Sequence, residues 1–142
     1  MKKEVPDIDQ KPLAKLLVVD DEADIARILK RGLENNHFVV DAFIDPIEAL
    51  AYYSEHADEY CLIISDVRMP GISGFQFVRK AKQLNHDIKT ILLTAFEINK
   101  TEVAKVLPSL DVDEFIRKPI HVDTLAVLIR NHIGKNKRLL NT

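Results

Sequence analysis

The feature that most constrains the fold is residues 61–70, with the sequence CLIISDVRMP. A short apolar run and a small Ser65 end abruptly on the carboxylate of Asp66. So short a run is typical of a buried strand rather than a helix, and the following Met-Pro-Gly predicts a turn. Asp66 is therefore expected at the carboxyl end of a central strand, where parallel α/β sheets bind their ligands.

Length and composition predict one folded domain. The chain has 142 residues, of which 46% are hydrophobic, enough for a sizeable core. Residues 1–12 are polar with two prolines and are expected to form a loose tail, and residues 135–142 a short basic one. The predicted domain covers residues 13–134.

Charge and cysteine content exclude several classes of function. The net charge of −2 gives no reason to expect direct binding to nucleic acid or to a membrane. The single cysteine, Cys61, allows no internal disulfide and no thiolate pair for zinc, and no stretch is long and apolar enough to span a membrane. None of the four glycines lies in a nucleotide-binding glycine motif. A cytoplasmic location is expected.

Short apolar segments alternate with amphipathic ones along the chain. Five strands are predicted, at residues 13–19, 38–43, 61–65 and 90–93 and around residues 115–116. The linking segments are long enough for right-handed crossovers, so the fold class is α/β, a parallel sheet covered by helices on both faces.

The five intervening helices are predicted from their stripes and caps. The first begins near Glu22, has its stripe at Ile25, Ile28, Leu29 and Leu33, and closes at Asn35 and Asn36. Asp45, which precedes Pro46, begins the second helix. Ser73 begins the third helix, whose inward residues are Phe77, Val78, Ala81 and Leu84. A weaker fourth helix covers residues 99–107, and Gly134 closes the last.

The strand ends bring polar residues together at one edge of the predicted sheet. They are Asp20, Asp21, Asp66, Thr94 and Lys118. Three carboxylates this close repel one another unless a cation neutralises them. Oxygen ligands without histidine or cysteine favour Mg²⁺, with Mn²⁺ as a substitute. An aspartate beside such a metal can attack phosphorus and form an aspartyl phosphate, with Asp66 best placed, Lys118 as a clamp and Thr94 as a hydrogen-bonding partner.

These motifs give the chain a resemblance to the receiver domains of two-component response regulators, CheY-like proteins, over residues 13–134. Paired acids follow the first strand, a D-x-x-M-P-G frame surrounds Asp66, and Thr94 and Lys118-Pro119 end the later strands. The resemblance implies the flavodoxin-like, doubly wound strand order 2-1-3-4-5. It also implies the remaining roles at the site.

By that resemblance, Asp66 accepts a phosphoryl group from a histidine kinase or phosphotransfer protein, with Mg²⁺ held by Asp20, Asp21, Asp66 and the backbone carbonyl of Arg68. Thr94 and Phe115 act as switch residues, and the bond before Pro119 is cis. Phe115 has no hydroxyl, so a switch through it works by packing alone. The output is contact with a target protein, as a monomer or a phosphorylation-dependent dimer.

Other interpretations remain open at this stage. A Mg²⁺-dependent phosphohydrolase with an aspartyl-phosphate intermediate uses the same residue types, although Arg68 stands where such enzymes normally have a second acid. The chain is otherwise not expected to be an enzyme beyond its own phosphorylation and dephosphorylation. It could also be a receiver cut from a longer DNA-binding regulator. Taken singly, Asp20 and Asp21 are ordinary helix-start acids.

Overall fold

A five-stranded parallel sheet forms the centre of the molecule. The computed structural model describes the backbone of residues 14–95 and 112–141, and the side chains as far as Gly134. The strands are β1 (Lys15–Val19), β2 (Val39–Phe43), β3 (Leu62–Asp66), β4 (Lys89–Thr94) and β5 (Glu114–Arg117). Their order is β2-β1-β3-β4-β5, and all neighbours are parallel. The predicted fold class and strand order are confirmed.

Helices cover both faces of this sheet. They are α1 (Ala23–Asn35), α2 (Pro46–His56), a 3₁₀ turn (Ala57–Glu59), α3 (Gly74–Leu84) and α4 (Val122–Asn141). The weaker helix predicted over residues 99–107 lies outside the described residues, so the helix after β5 is numbered α4 here. No helix in the described part of the chain is long and apolar enough to cross a membrane.

Alternate residues of the buried strands supply two separate cores. Leu16 and Val18 of β1 face α1 and α4, in a cluster with Leu33 and Ile129. Leu17 and Val19 point the other way, into a cluster formed with α2 and α3. The two-residue period of a strand thus serves both faces, which is why these strands read as continuous apolar runs.

The predicted starts of α2 and α3 are confirmed by their caps. The Asp45 carboxylate accepts hydrogen bonds from the backbone N–H groups of Ile47 and Glu48, at 2.9 and 3.4 Å. Ser73 and Gln76 form a reciprocal capping box, in which each side chain bonds the other's backbone N–H. Such caps satisfy donors that the first helical turn leaves unpaired.

Two residues assigned to the helix stripes are exposed. Ile28 is 57% exposed, because the buried face of α1 is centred on Ala26, Leu29 and Leu33. Leu84, at the end of α3, is 50% exposed and lines a surface cleft with residues 54–59 instead of the core. Both assignments were wrong since periodicity defines a face only to within about one position.

The two predicted helix ends turn out differently. Helix α1 ends at Asn35 as predicted, with Asn36 as its cap and His37 in a left-handed conformation with a φ of 75°. The last helix does not close at Gly134 but continues to Asn141. In the described part of the chain, no atom apart from the helix's own adjacent backbone lies within 4 Å of the position of a Cβ at Gly134, so no described contact forces the chain to turn there. A helix accepts an interior glycine at a cost of about 1 kcal/mol.

Candidate functional site

The carboxyl ends of β1, β3, β4 and β5 place polar residues side by side. Strand β3 ends on Asp66 and β4 on Thr94. The pairing of Val19 with Ser65 puts Asp20 beside Asp66, and the pairing of Thr94 with Arg117 brings Lys118 to the same edge. The structure thus brings together residues more than 90 positions apart in the chain, such as Asp20 and Lys118.

Three carboxylates form a cluster at this edge. One oxygen from each of Asp20, Asp21 and Asp66 lies within 4.8 Å of the others. Asp20 is 1% and Asp66 8% exposed, whereas Asp21 is exposed to solvent. The cluster is therefore anchored in the sheet by two buried acids and is open to water through the third.

Lys118 is the cation that faces the buried acids. Its ammonium lies 2.8 Å from Asp20 Oδ2 and 3.2 Å from Asp66 Oδ1, and its side chain is only 14% exposed. The backbone N–H of Lys118 donates to the carbonyl of Thr94 at 2.7 Å, which fixes the lysine at the end of β4. The peptide bond between Lys118 and Pro119 is cis.

Burial and charge set the protonation of the central pair. Burial raises the pKa of Asp66, assisted by the negative charge of Asp20 and opposed by Lys118. Burial alone lowers the pKa of Lys118, but its hydrogen bond and attraction to Asp20, with the charge of Asp66, outweigh this and raise it. Lys118 therefore stays charged, and its attraction only partly offsets the effect of burial on Asp66.

The donor set fits a hard divalent cation. Each of the three carboxylates offers one oxygen within 4.8 Å of the other two, and the ammonium of Lys118 alone cannot balance their three negative charges. The chain offers neither histidine nor cysteine in this cluster, so the chemistry favours Mg²⁺ over zinc. Arg68 lies in the exposed loop two residues after Asp66, and its carbonyl as a further ligand stays a prediction.

The predicted switch residues occupy different surroundings. Thr94 is 6% exposed at the end of β4. Phe115 is half-buried in β5 and packs on Phe75 of α3, with ring centroids 5.8 Å apart. With Val78, Leu92 and Val112, these rings form a small third core between α3 and the β4–β5 edge.

Two residues of the site were missed by the sequence analysis. Glu22 Oε1 lies 3.6 Å from the Lys118 ammonium, and Gly74 packs against the backbone carbonyl of Asp66. The signal for Glu22 was its place directly after the paired acids. The signal for Gly74 was that a glycine stands at the first position of a helix, where the helix itself does not require one.

Comparison with known families agrees with this geometry. The family model described as "Response regulator receiver domain" matches residues 16–130. The chain belongs to this family. Receiver domains are signalling switches of two-component systems, in which histidine kinases supply the signal and downstream targets receive it.

Curated relatives of this receiver domain are longer proteins. The regulatory protein VanRc of Enterococcus gallinarum is 29% identical over 87% of this chain and 52% of its own length. The response regulator SaeR of Staphylococcus epidermidis is 33% identical over 84% of this chain and 50% of its length. The chain thus spans about half the length of these two relatives.

Solved receiver structures match over almost their whole length. A receiver domain protein from Clostridium thermocellum is 29% identical with a TM-score of 0.79, covering 89% of this chain and 98% of that one. The response regulator TrrA from Thermotoga maritima, in complex with Mg²⁺-BeF, is 32% identical with a TM-score of 0.70, covering 84% and 98%. The fold of this receiver domain is therefore that of the family.

Proposed function

We propose that this receiver domain is a phosphorylatable switch whose phosphoacceptor is Asp66. The observation that carries the proposal is the position of Asp66 at the end of β3, within 3.2 Å of the Lys118 ammonium and next to Asp20 and Asp21. Asp66 belongs to the carboxylate cluster and also contacts the lysine, and its burial raises the pKa of its carboxyl group and makes the oxygen more basic.

The proposed reaction transfers a phosphoryl group from a phosphohistidine of a sensor kinase or phosphotransfer protein. An oxygen of Asp66 attacks phosphorus, the bond from phosphorus to the histidine nitrogen breaks, and that nitrogen keeps the electron pair and takes up a proton from solvent. Asp66 then carries an acyl phosphate. Positioning and charge stabilisation are the main tasks of a protein in such transfers.

Asp20, Asp21 and Asp66, with the carbonyl of Arg68, are the proposed ligands of Mg²⁺ or Mn²⁺. The bound metal supplies positive charge to the oxygens of the transferred group. Asp20 is held for this task by two contacts, since its Oδ1 accepts from the backbone N–H of Glu22 at 3.0 Å and its Oδ2 from Lys118. The similar regulator TrrA was solved in complex with Mg²⁺-BeF, which supports the choice of Mg²⁺ as the cation.

Lys118 and Thr94 are the proposed readers of the phosphoryl group. Lys118 already contacts Asp66 and can bind a phosphoryl oxygen with little movement. Thr94 lies on the neighbouring strand, and its hydroxyl can donate a hydrogen bond to a second phosphoryl oxygen. Strand β5, which carries Phe115, is paired with β4, which ends on Thr94. A shift of Thr94 therefore changes the packing of Phe115 on Phe75, and with it the face presented to a target protein or a second receiver.

A Mg²⁺-dependent phosphohydrolase remains the competing function. Such an enzyme uses the same nucleophile and metal but needs a general acid to expel the leaving group. The position two residues after Asp66 holds the exposed Arg68, which cannot donate and regain a proton at neutral pH. We therefore assign the chain to phosphoacceptors that act at most on their own phosphoryl group.

Intact mass spectrometry with a phosphate-release assay tests the proposal. With Mg²⁺ and a small phosphodonor, the chain is expected to gain one phosphoryl group and to release phosphate slowly, in proportion to adduct decay. Rapid release over many turnovers without a stable adduct would identify a hydrolase instead.

A further inference from the structure

The side chain of Glu22 contacts Lys118, although Glu22 lies at the start of α1 where a side chain normally caps the helix. It is the N-cap residue of α1, but its side chain makes no capping hydrogen bond, whereas Asp45 and Ser73 cap α2 and α3. Glutamate is also not among the residues favoured at N-caps. A local rule broken without a structural gain often marks a functional position.

The Glu22 carboxylate reaches the proposed phosphate-binding lysine instead. Its Oε1 lies 3.6 Å from Lys118 Nζ, while the side chain is 65% exposed. Lys118 thus faces three carboxylates, and Glu22 is the only one of them that is not buried or nearly so. An exposed ion pair is weak and easily released, but a buried one is costly to break.

We propose that Glu22 is a positioning residue that holds Lys118 in the unphosphorylated state and competes with the incoming phosphoryl group for it. This inference rests on the proposed phosphorylation of Asp66. The buried Asp20 keeps its bond to Lys118 through the reaction, because the backbone N–H of Glu22 holds the other carboxylate oxygen. The Glu22 side chain turns into solvent and gives up its ion pair with the ammonium, which leaves that side of Lys118 open to a phosphoryl oxygen. Glu22 therefore sets how fast Asp66 is phosphorylated.

Two substitutions separate this contact from simple charge. Glu22→Gln removes the charge at nearly constant size, whereas Glu22→Asp keeps the charge but is one methylene shorter and loses the reach to Lys118. Asp24→Asn is the matched control, because Asp24 is an exposed acid of the same helical turn that pairs with Arg27 at 3.2 Å. It removes the same charge without touching Lys118.

The experiment measures the rate of adduct formation by intact mass on the full chain with Mg²⁺. Acetyl phosphate, a dianion, and phosphoramidate, a monoanion, serve as donors. Both Glu22 variants are expected to label about two- to fivefold faster than the parent, by a similar factor with either donor, since the transferred group that Lys118 binds is the same. Asp24→Asn is expected to label at the parental rate, and the melting temperature of Glu22→Gln to be unchanged.

Three results would overturn the inference. The first is labelling of Glu22→Gln at or below the parental rate. The second is a faster rate that occurs only with the dianionic donor, and the third is an equally faster rate in Asp24→Asn; either of these two would identify general charge repulsion as the cause. A parent chain that takes up no phosphoryl group from either donor contradicts the proposed function itself, which is a different outcome.

Discussion

Gly74, the first residue of α3, packs so closely on the backbone carbonyl of Asp66 that a Cβ at Gly74 would overlap that oxygen. The Gly74 N–H also donates to the carbonyl of Val67 at 2.8 Å. Helix α3 is thereby seated directly on the end of β3. The position of the proposed phosphoacceptor and that of α3 are mechanically linked through one small residue.

Substitution of Gly74 by alanine is expected to harm both stability and phosphorylation. The methyl group meets the Asp66 carbonyl and lies 3.0 Å from Leu92 Cδ2, so either α3 or the end of β3 must move. We expect the free energy of unfolding to fall by about 1–3 kcal/mol, measured by urea denaturation, and adduct formation to slow.

Gly134→Ala is the matched control for that substitution. Among the described residues, a Cβ at this position in α4 meets no atom within 4 Å apart from the adjacent helix backbone, so the alanine is expected to raise the free energy of unfolding by up to about 1 kcal/mol. Equal stability of the Gly74 variant and the parent would show that the close approach does not constrain the fold.

Mg²⁺ is expected to stabilise the folded chain through the carboxylate cluster. A ligand at ten times its dissociation constant raises the free energy of unfolding by about 1.4 kcal/mol, which thermal unfolding with increasing Mg²⁺ detects. Asp20→Asn and Asp66→Asn each remove one of the three clustered carboxylates and are expected to weaken this effect. Asp87→Asn, an exposed acid outside the cluster, is expected to respond as the parent does. Identical Mg²⁺ responses in all four proteins would place the metal elsewhere.

Cys61 is expected to be poorly reactive in the folded chain. Burial raises the pKa of its thiol from 9.0 to about 11, so the thiolate is scarce at pH 8. We expect alkylation by iodoacetamide to be about 100-fold slower than in urea, where the same single cysteine is exposed. Comparable rates in the two conditions would contradict this burial.

The raised pKa of the Cys61 thiol also predicts how the free energy of unfolding depends on alkaline pH. Because the folded pKa lies above the unfolded one, the contribution of Cys61 is complete below pH 9.0 and is lost as the pH rises to about 11. The stability difference between the parent and Cys61→Ala should therefore be constant below that window and decline across it, as followed by urea denaturation.

The contact between Phe75 and Phe115 is expected to be energetically coupled. Phe75→Ala, Phe115→Ala and the double variant form a thermodynamic cycle on two rings with centroids 5.8 Å apart. We expect a coupling of about 0.5–1.5 kcal/mol in urea denaturation. Additive effects would mean that α3 and β5 are not joined through these rings, and the proposed output through Phe115 would lose its packing partner.

The alternation of strands and helices and most of the site were predictable from the sequence. Buried parallel strands give continuous apolar runs, and each run before the site ends on a polar residue, so Asp20, Asp66 and Thr94 could be placed at one edge before any contact was known. The strand order was not derivable in this way and came from the resemblance to receiver domains.

Contacts that depend on precise geometry were not predictable. Nothing in the pattern around Ile28 shows that the α1 face is turned toward Ala26, and a glycine such as Gly134 ends a helix only where the surrounding structure requires it. Glu22 resembled an ordinary helix-start acid, because its reach to Lys118 depends on the fold bringing residues 22 and 118 together.

The central claim is that Asp66 takes the phosphoryl group. Intact mass spectrometry followed by peptide mapping, with Mg²⁺ and acetyl phosphate, tests it most directly. The parent and Asp87→Asn are expected to gain one phosphoryl group on the peptide that contains residue 66, and Asp66→Asn to gain none. Labelling of Asp66→Asn to the extent of the parent, or no labelling of the parent, would contradict the account.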